Sequence, residues 1–202
     1  NVASGPLANP LVRQAINLGV NRIEMANALH AGYDAPSALT IPAAFGQRQP
    51  ATFDPVQSRS LLRSAGYPQG VTLDIYTNES QAGGEVALLL AFLREQMLQI
   101  GVILRIRFID DNDQLLVLEE RHRVESSIDV RAPLLGGAGF LLEETANTAL
   151  DAVSPAANQR YANHALAALL DQLRNSPPGP PADALIHQAA TIIDMDVPTV
   201  NF

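Results

Sequence analysis

The chain has no cysteine, no lysine and no tryptophan among its 202 residues. Without cysteine there can be no disulfide, no thiol nucleophile and no thiolate-ligated zinc. That absence does not fix the compartment, because an exported protein can equally lack cysteine. All 13 basic residues are arginine, set against 21 acidic ones for a net charge of -8. Such a balance offers no concentrated cationic surface for phosphates, so nucleic acid is not an expected partner. No apolar run approaches the length that crosses a bilayer; the longest, Val86–Leu93, is broken by Arg94 and Glu95. No basic-plus-apolar leader opens the chain, and Asn1–Ala8 reads as the middle of a longer polypeptide. A hydrophobic content of 47% with 17% charged residues is enough to bury a core.

What is present is an ordered alternation of helical and strand patterns. Asn9 and Pro10 open a helix in which Val12, Ala15, Ile16 and Gly19 recur at helical spacing. Asn21 caps a second helix, with Glu24 in its first turn and Gly32 as its stop. The proline-rich stretch Asp34–Pro55 reads as irregular surface chain. Asp54-Pro55 then starts a helix that closes at Ala65-Gly66-Tyr67-Pro68. Val71–Thr77 alternates strictly, as a half-buried strand does. Glu85–Ile100 reads as an amphipathic to mostly buried helix ended by Gly101. Val102–Ile109 alternates again, with Arg105 and Arg107 on one face and Leu104, Ile106 and Phe108 on the other. Strand, helix, strand in this order predicts parallel pairing through a right-handed crossover. A short helix at Asp113–Arg121, a short strand at Ser127–Arg131 and an apolar, glycine-rich stretch at Leu134–Phe140 follow. The last third reads as helix over Gln159–Asn175, a loop at Ser176–Pro181, and helix over Ala182–Ile193.

No catalytic constellation emerges from these residues, and none is expected. His30, His122, His164 and His187 fall in no metal-ligand spacing. Asp110-Asp111-Asn112-Asp113 resembles a calcium loop but lacks its glycine, and His122 stands where the bidentate glutamate belongs; a helix cap is the expected role. Glu119-Glu120 and Glu143-Glu144 are sequence neighbours that point different ways along a helix and cannot clamp one glycosidic bond. There is no Gly-Xaa-Ser-Xaa-Gly elbow, and Ser126-Ser127 has no recognisable base. No cofactor is expected.

Four stretches, in order, carry a resemblance. They are Val12-Arg13-Gln14-Ala15 with Asn21-Arg22; the helix ending Ala65-Gly66-Tyr67-Pro68-Gln69-Gly70; Leu93–Val102; and Tyr161-Ala162-Asn163 with Leu169-Leu170-Asp171 and Ala189–Pro198. Together they resemble the C-terminal lobe of the peptide- and nickel-type (family 5) extracellular solute-binding proteins of ABC transporters. The resemblance implies an α/β fold, one lobe of the periplasmic-binding-protein-like type II (cluster C) architecture, with a mixed sheet flanked by helices. It implies that residues 1–202 form a single lobe whose N-terminal partner lobe lies outside this chain. The expected partners are a peptide-like or other small polar ligand, that N-terminal lobe, and an ABC permease. The expected location is periplasmic or extracellular, with a lipoprotein anchor on the full-length protein.

The family's ligand anchor follows a strand, in a Gly-Trp-Xaa-Xaa-Asp type segment whose aspartate pairs with a peptide α-amine. The corresponding place here is Asp129-Val130-Arg131 followed by Gly136-Gly137-Ala138-Gly139-Phe140. No tryptophan is present, Ala138 or Gly139 stands where the aspartate would be, and Phe140 matches the next aromatic. The resemblance thus assigns ligand contact to Arg131, Gly136, Gly137, Gly139 and Phe140. For Arg131 the alternative is a surface or interlobe arginine, and for the glycine run a plain loop. A desolvated ammonium without its carboxylate costs roughly 2–5 kcal/mol. That loss leaves a second expectation open: a non-transport, cell-envelope regulatory lipoprotein that keeps the receptor fold.

Overall fold

A computed structural model describes residues 4–30, 51–78, 83–110, 112–121, 126–127, 161, 163–197 and 200. Its elements are a 3₁₀ turn at Pro6–Ala8, helices α1 (Pro10–Gly19), α2 (Arg22–His30) and α3 (Pro55–Ser64), and strand β1 (Val71–Asn78). Then come α4 (Gly84–Ile100), β2 (Val102–Ile109), α5 (Asn112–Glu120), β3 (Ser126–Ser127), α6 (His164–Arg174) and α7 (Pro180–Asp196).

Local chemistry accounts for most of the boundaries. The Asn9 side chain accepts from Leu11 N–H at 3.0 Å and Pro10 follows it, a capped start for α1. Asn21 Oδ1 accepts from Glu24 N–H while its amide donates to Glu24 Oε2, so the entry to α2 is closed from both sides. Asp54 Oδ1 caps α3 through Gln57 N–H at 2.8 Å. Gly101, at φ 89, ends α4 in the left-handed conformation that lets β2 begin one residue later.

The sheet order is β2-β1-β3, and both pairings are parallel. An antiparallel strand of the expected mixed sheet does not occur among the described residues. Val71, Leu73 and Ile75 of β1 and Val102 and Leu104 of β2 share one buried face. They pack with Val12, Ala15, Leu62, Leu93, Met97 and Ile100, so α1, α3 and α4 cover that side. Gly19 explains how closely α1 approaches α4: a Cβ there would lie 2.6 Å from Ile100 Cδ1. The other face carries Asp74, which accepts from Arg105 Nη2 at 2.8 Å and Arg107 Nε at 3.2 Å. These arginines are half exposed, and pairs of this kind contribute little to stability. Helices α6 and α7 form a smaller cluster of their own around Tyr161, Leu166, Leu170, Ile186, Ala189 and Ile193.

Expected boundaries of the last two helices move. The predicted helix over Gln159–Asn175 begins at His164, because Asn163 is extended and its side chain caps Leu166 N–H at 3.1 Å. The last helix starts at Pro180 rather than Ala182 and runs on to Asp196. Prolines in a first turn remove only N–H groups that have no helical partner, so they open α7 rather than delay it. Phe108, placed by alternation on the buried side, is 46% exposed near the end of β2. The expected strand Ser127–Arg131 is seen as Ser126–Ser127, and its remainder lies outside the described residues.

Candidate ligand-binding site

Three parallel strands end at one edge of this lobe. β3 pairs with the later half of β1, Ile75 opposite Ser126 and Tyr76 opposite Ser127, while Asn78 stands opposite Ile109. The carboxyl ends of all three strands therefore meet there. From β1 the chain moves through α4 to β2 on one side; from β2 it returns through α5 to β3 on the other side of β1. That reversal makes the gap between β1 and β3 a topological switch point, where open α/β sheets accept ligands. The described groups at this edge are the fully buried Thr77, the half-exposed Phe108, Ile109 and the exposed Asp110. They supply an apolar side chain at Phe108, a hydroxyl at Thr77, a carboxylate at Asp110 and strand-end backbone.

Arg131, Gly136, Gly137, Gly139 and Phe140 lie outside the described residues, as do the expected stop at Gly32, the stretch Leu134–Phe140 and the pair Glu143-Glu144. In sequence Arg131 comes four residues after the end of β3. Among the described residues no group of three or more acidic or histidine side chains could hold a metal. No helix among them is long and apolar enough to cross a membrane.

The residues carrying the family resemblance turn out to build the frame. Arg13 is 8% exposed although it neighbours the apolar stripe of α1. Its Nε donates to the Asp196 carbonyl at 2.8 Å, and its Nη1 donates to the carbonyls of Leu7 at 2.8 Å and Ala8 at 3.2 Å. Gln14 Nε2 donates to the Met195 carbonyl at 3.1 Å. The first turns of α1 therefore satisfy the last carbonyls of α7, where positive charge is also favoured by the helix dipole. The Asp196 carboxylate accepts from Tyr161 O–H at 2.5 Å and from Asn163 Nδ2 at 2.8 Å. The first and last of the four resembling stretches, 183 residues apart at Arg13 and Asp196, thus meet in one polar node. Burial lowers the Arg13 pKa, an effect opposed by Asp196 and Tyr161.

A second frame joint sits at the α1–α2 corner. Arg22, 5% exposed, donates to the Asn17 carbonyl at 3.0 Å and to the Asn17 side-chain oxygen at 2.5 Å. Burial brings its pKa down to about 10. Gln96 of α4 accepts from Asn21 N–H at 3.0 Å, fastening the same corner to the core. The family resemblance drew attention to these positions; helical spacing alone identified only their apolar neighbours.

Burial is the main reason the Tyr161 pKa is raised, and its hydrogen bond to Asp196 adds to the effect. The folded state therefore keeps a proton that the unfolded state releases. Stability from this phenol is fully present below the ordinary tyrosine value near 10 and is lost as pH climbs above it. In an alkaline absorbance titration, Tyr161→Phe should remove a phenolate step lying above the ordinary tyrosine range. It should also flatten the decline of stability beyond about pH 10.

The described architecture is one lobe of a type II periplasmic-binding-protein-like fold. Residues 1–131 match the bacterial extracellular solute-binding proteins, family 5 Middle, and the chain belongs to that family. The glutathione-binding protein GsiB of Salmonella typhimurium is 33% identical over 131 residues, 63% of this chain and 25% of its own length. GsiB of Escherichia coli K12 is 29% identical over the same extent. This chain therefore spans about a quarter of the length of the curated relatives it matches. Among solved structures, DppA of Helicobacter pylori in complex with the peptide STSA aligns with TM-score 0.82 at 22% identity, covering 100% of this chain and 39% of DppA. HbpA2 of Haemophilus parasuis aligns with TM-score 0.86 at 18% identity, covering 100% and 40%. The open, unliganded murein tripeptide binding protein MppA aligns with TM-score 0.80 at 19% identity, covering 100% and 40%.

Proposed function

We propose that residues 1–202 are the C-terminal lobe of the solute receptor of an ABC importer. In this reading the lobe supplies one wall of a cleft that a second, N-terminal lobe closes. The switch point between β1 and β3 carries the proposal, because a sheet whose strands end together there is built to present a ligand-binding edge. The ligand is peptide-like or another small polar solute, and glutathione is the first candidate given the kinship with GsiB. Arg131 and the backbone of Gly136, Gly137 and Gly139 meet its anionic groups, and Phe140 packs against its apolar part. Release to the permease follows from lobe opening, a shift between conformations and not a reaction. The receptor works outside the cytoplasmic membrane, held there by a lipid anchor.

The missing anchor residues favour one other reading. The chain has no tryptophan, and Ala138 or Gly139 stands in the place of the family's aspartate. A cell-envelope regulatory lipoprotein that has given up transport would need neither. Glutathione uptake by cells lacking this receptor separates the two, being lost under the first reading and unchanged under the second. In the full-length receptor, Arg131→Ala should weaken glutathione binding about tenfold or more, with the unliganded thermal midpoint nearly unchanged. Calorimetric affinities equal to wild type would remove Arg131 from the site.

A further inference from the structure

Strand β2 is the outer member of the sheet, and among the described residues it pairs with β1 alone. It is eight residues long, and an edge strand of that length is a template for another chain unless its side chains forbid pairing. By the strand period Ile103, Arg105 and Arg107 share the face opposite Val102 and Leu104. Helix α5 touches both β1 and β2, yet the side chains of Ile103, Arg105 and Arg107 stay more than half exposed.

Asp74 on the neighbouring strand arranges the two cations. It accepts from Arg105 through Nη2 at 2.8 Å and from Arg107 through Nε at 3.2 Å. One carboxylate stands between two guanidiniums, so the trio carries a net positive charge on a chain of net charge -8. A guanidinium has five N–H donors, and these bonds take up only part of that capacity.

Charge decides which strand such an edge accepts. A second copy of β2 fits badly. In an antiparallel pairing that keeps the two sheet faces aligned, Arg105 of one copy falls opposite Arg105 or Arg107 of the other, and like charges directly opposite are destabilising. A strand with carboxylates at alternate positions fits well, because each meets a guanidinium already oriented by Asp74.

We propose that the free edge of β2 is a docking site for an extended acidic segment of another protein, added as a further strand. An apolar side chain of that segment lies against Ile103, and carboxylates at the next two alternate positions meet Arg105 and Arg107. Main-chain hydrogen bonds supply the affinity and the alternating side chains the selectivity. Asp74 is a positioning residue that acts through the two arginines. The proposal needs neither a second lobe nor a bound solute, so it stands apart from the receptor reading.

The test is fluorescence anisotropy of the full-length protein with the labelled peptide Thr-Val-Thr-Glu-Thr-Glu-Thr. Two controls carry Lys in place of Glu, or N-methyl groups on alternate backbone amides. The acidic peptide should bind, and each control should bind about tenfold more weakly or less. Rising ionic strength should weaken the wild-type contact. Arg105→Glu with Arg107→Glu should invert the preference, so that the Lys peptide binds more tightly than the Glu peptide. No binding of the acidic peptide overturns the proposal, as does equal binding of its N-methylated form or an unchanged preference in the charge-reversed protein. Should that variant fail to fold, Arg105→Gln with Arg107→Gln decides: the preference for Glu over Lys is lost, or its survival overturns the proposal. Wild-type protein should sediment as a monomer; self-association that Ile103→Lys abolishes would assign the edge to a second copy and overturn it too.

Discussion

Arg13→Ala is expected to lower the thermal midpoint of unfolding by about 10 °C, corresponding to about 4 kcal/mol. The side chain is 8% exposed and makes charge-assisted hydrogen bonds to three carbonyls on two segments, at Leu7, Ala8 and Asp196. Alanine leaves those acceptors without the donor and removes a cation that interacts favourably with Asp196. It also uncouples the end of α7 from α1, so the loss is spread over two elements. Arg13→Lys keeps the charge but not the planar fork, and it should recover less than half of the loss. Differential scanning calorimetry of the three proteins decides; a midpoint for Arg13→Ala within about 2 °C of wild type would show that the node contributes no net stability.

Gly70→Ala is the second large expectation, at about 3 kcal/mol or more. Gly70 has φ +90, and a Cβ there would overlap the carbonyl oxygen of Gly101. That carbonyl is the acceptor for Val71 N–H at 3.0 Å, the bond at the start of the β1–β2 ladder. The substitution therefore imposes strain on residue 70 and pushes apart the two strands it introduces. Gly66→Ala is a useful comparison, because Gly66 has φ +93 but no atom within 4 Å of its would-be Cβ. It should cost only the backbone strain, about 1 kcal/mol. Equal urea midpoints for the two variants would mean that the contact with Gly101 is not tight.

The fold was legible where its causes are local. Asn9, Asp54 and the Asn21–Glu24 pair announce helix starts through the N–H groups they satisfy, and Val71–Thr77 declares its two faces by alternation. What escaped is non-local. Tyr161 and Asn163 read as helix because nothing beside them says that both reach a carboxylate at Asp196. Arg13 sits beside Val12, Ala15 and Ile16 with no sequence sign that carbonyls at the far end of the chain will receive it. Phe108 follows the strand period and yet is half exposed, since a period assigns a face but not how far the cover extends. The family was legible from four ordered stretches, but in the described fold the positions traced from them build joints. The proposed ligand contacts at Arg131, Gly136, Gly137, Gly139 and Phe140 were assigned from the resemblance alone, where this chain departs from its family's pattern, and they lie outside the described residues.

The central claim is that this chain supplies one wall of a cleft and needs a second lobe to hold a solute. Ligand-dependent stabilisation, measured side by side on the full-length receptor and on residues 1–202 alone, tests it most directly. With glutathione at a hundred times its Kd, the full-length receptor should gain about 2.7 kcal/mol and the isolated chain almost nothing. Gains of equal size in both would contradict the account, because they would place a complete site within these 202 residues.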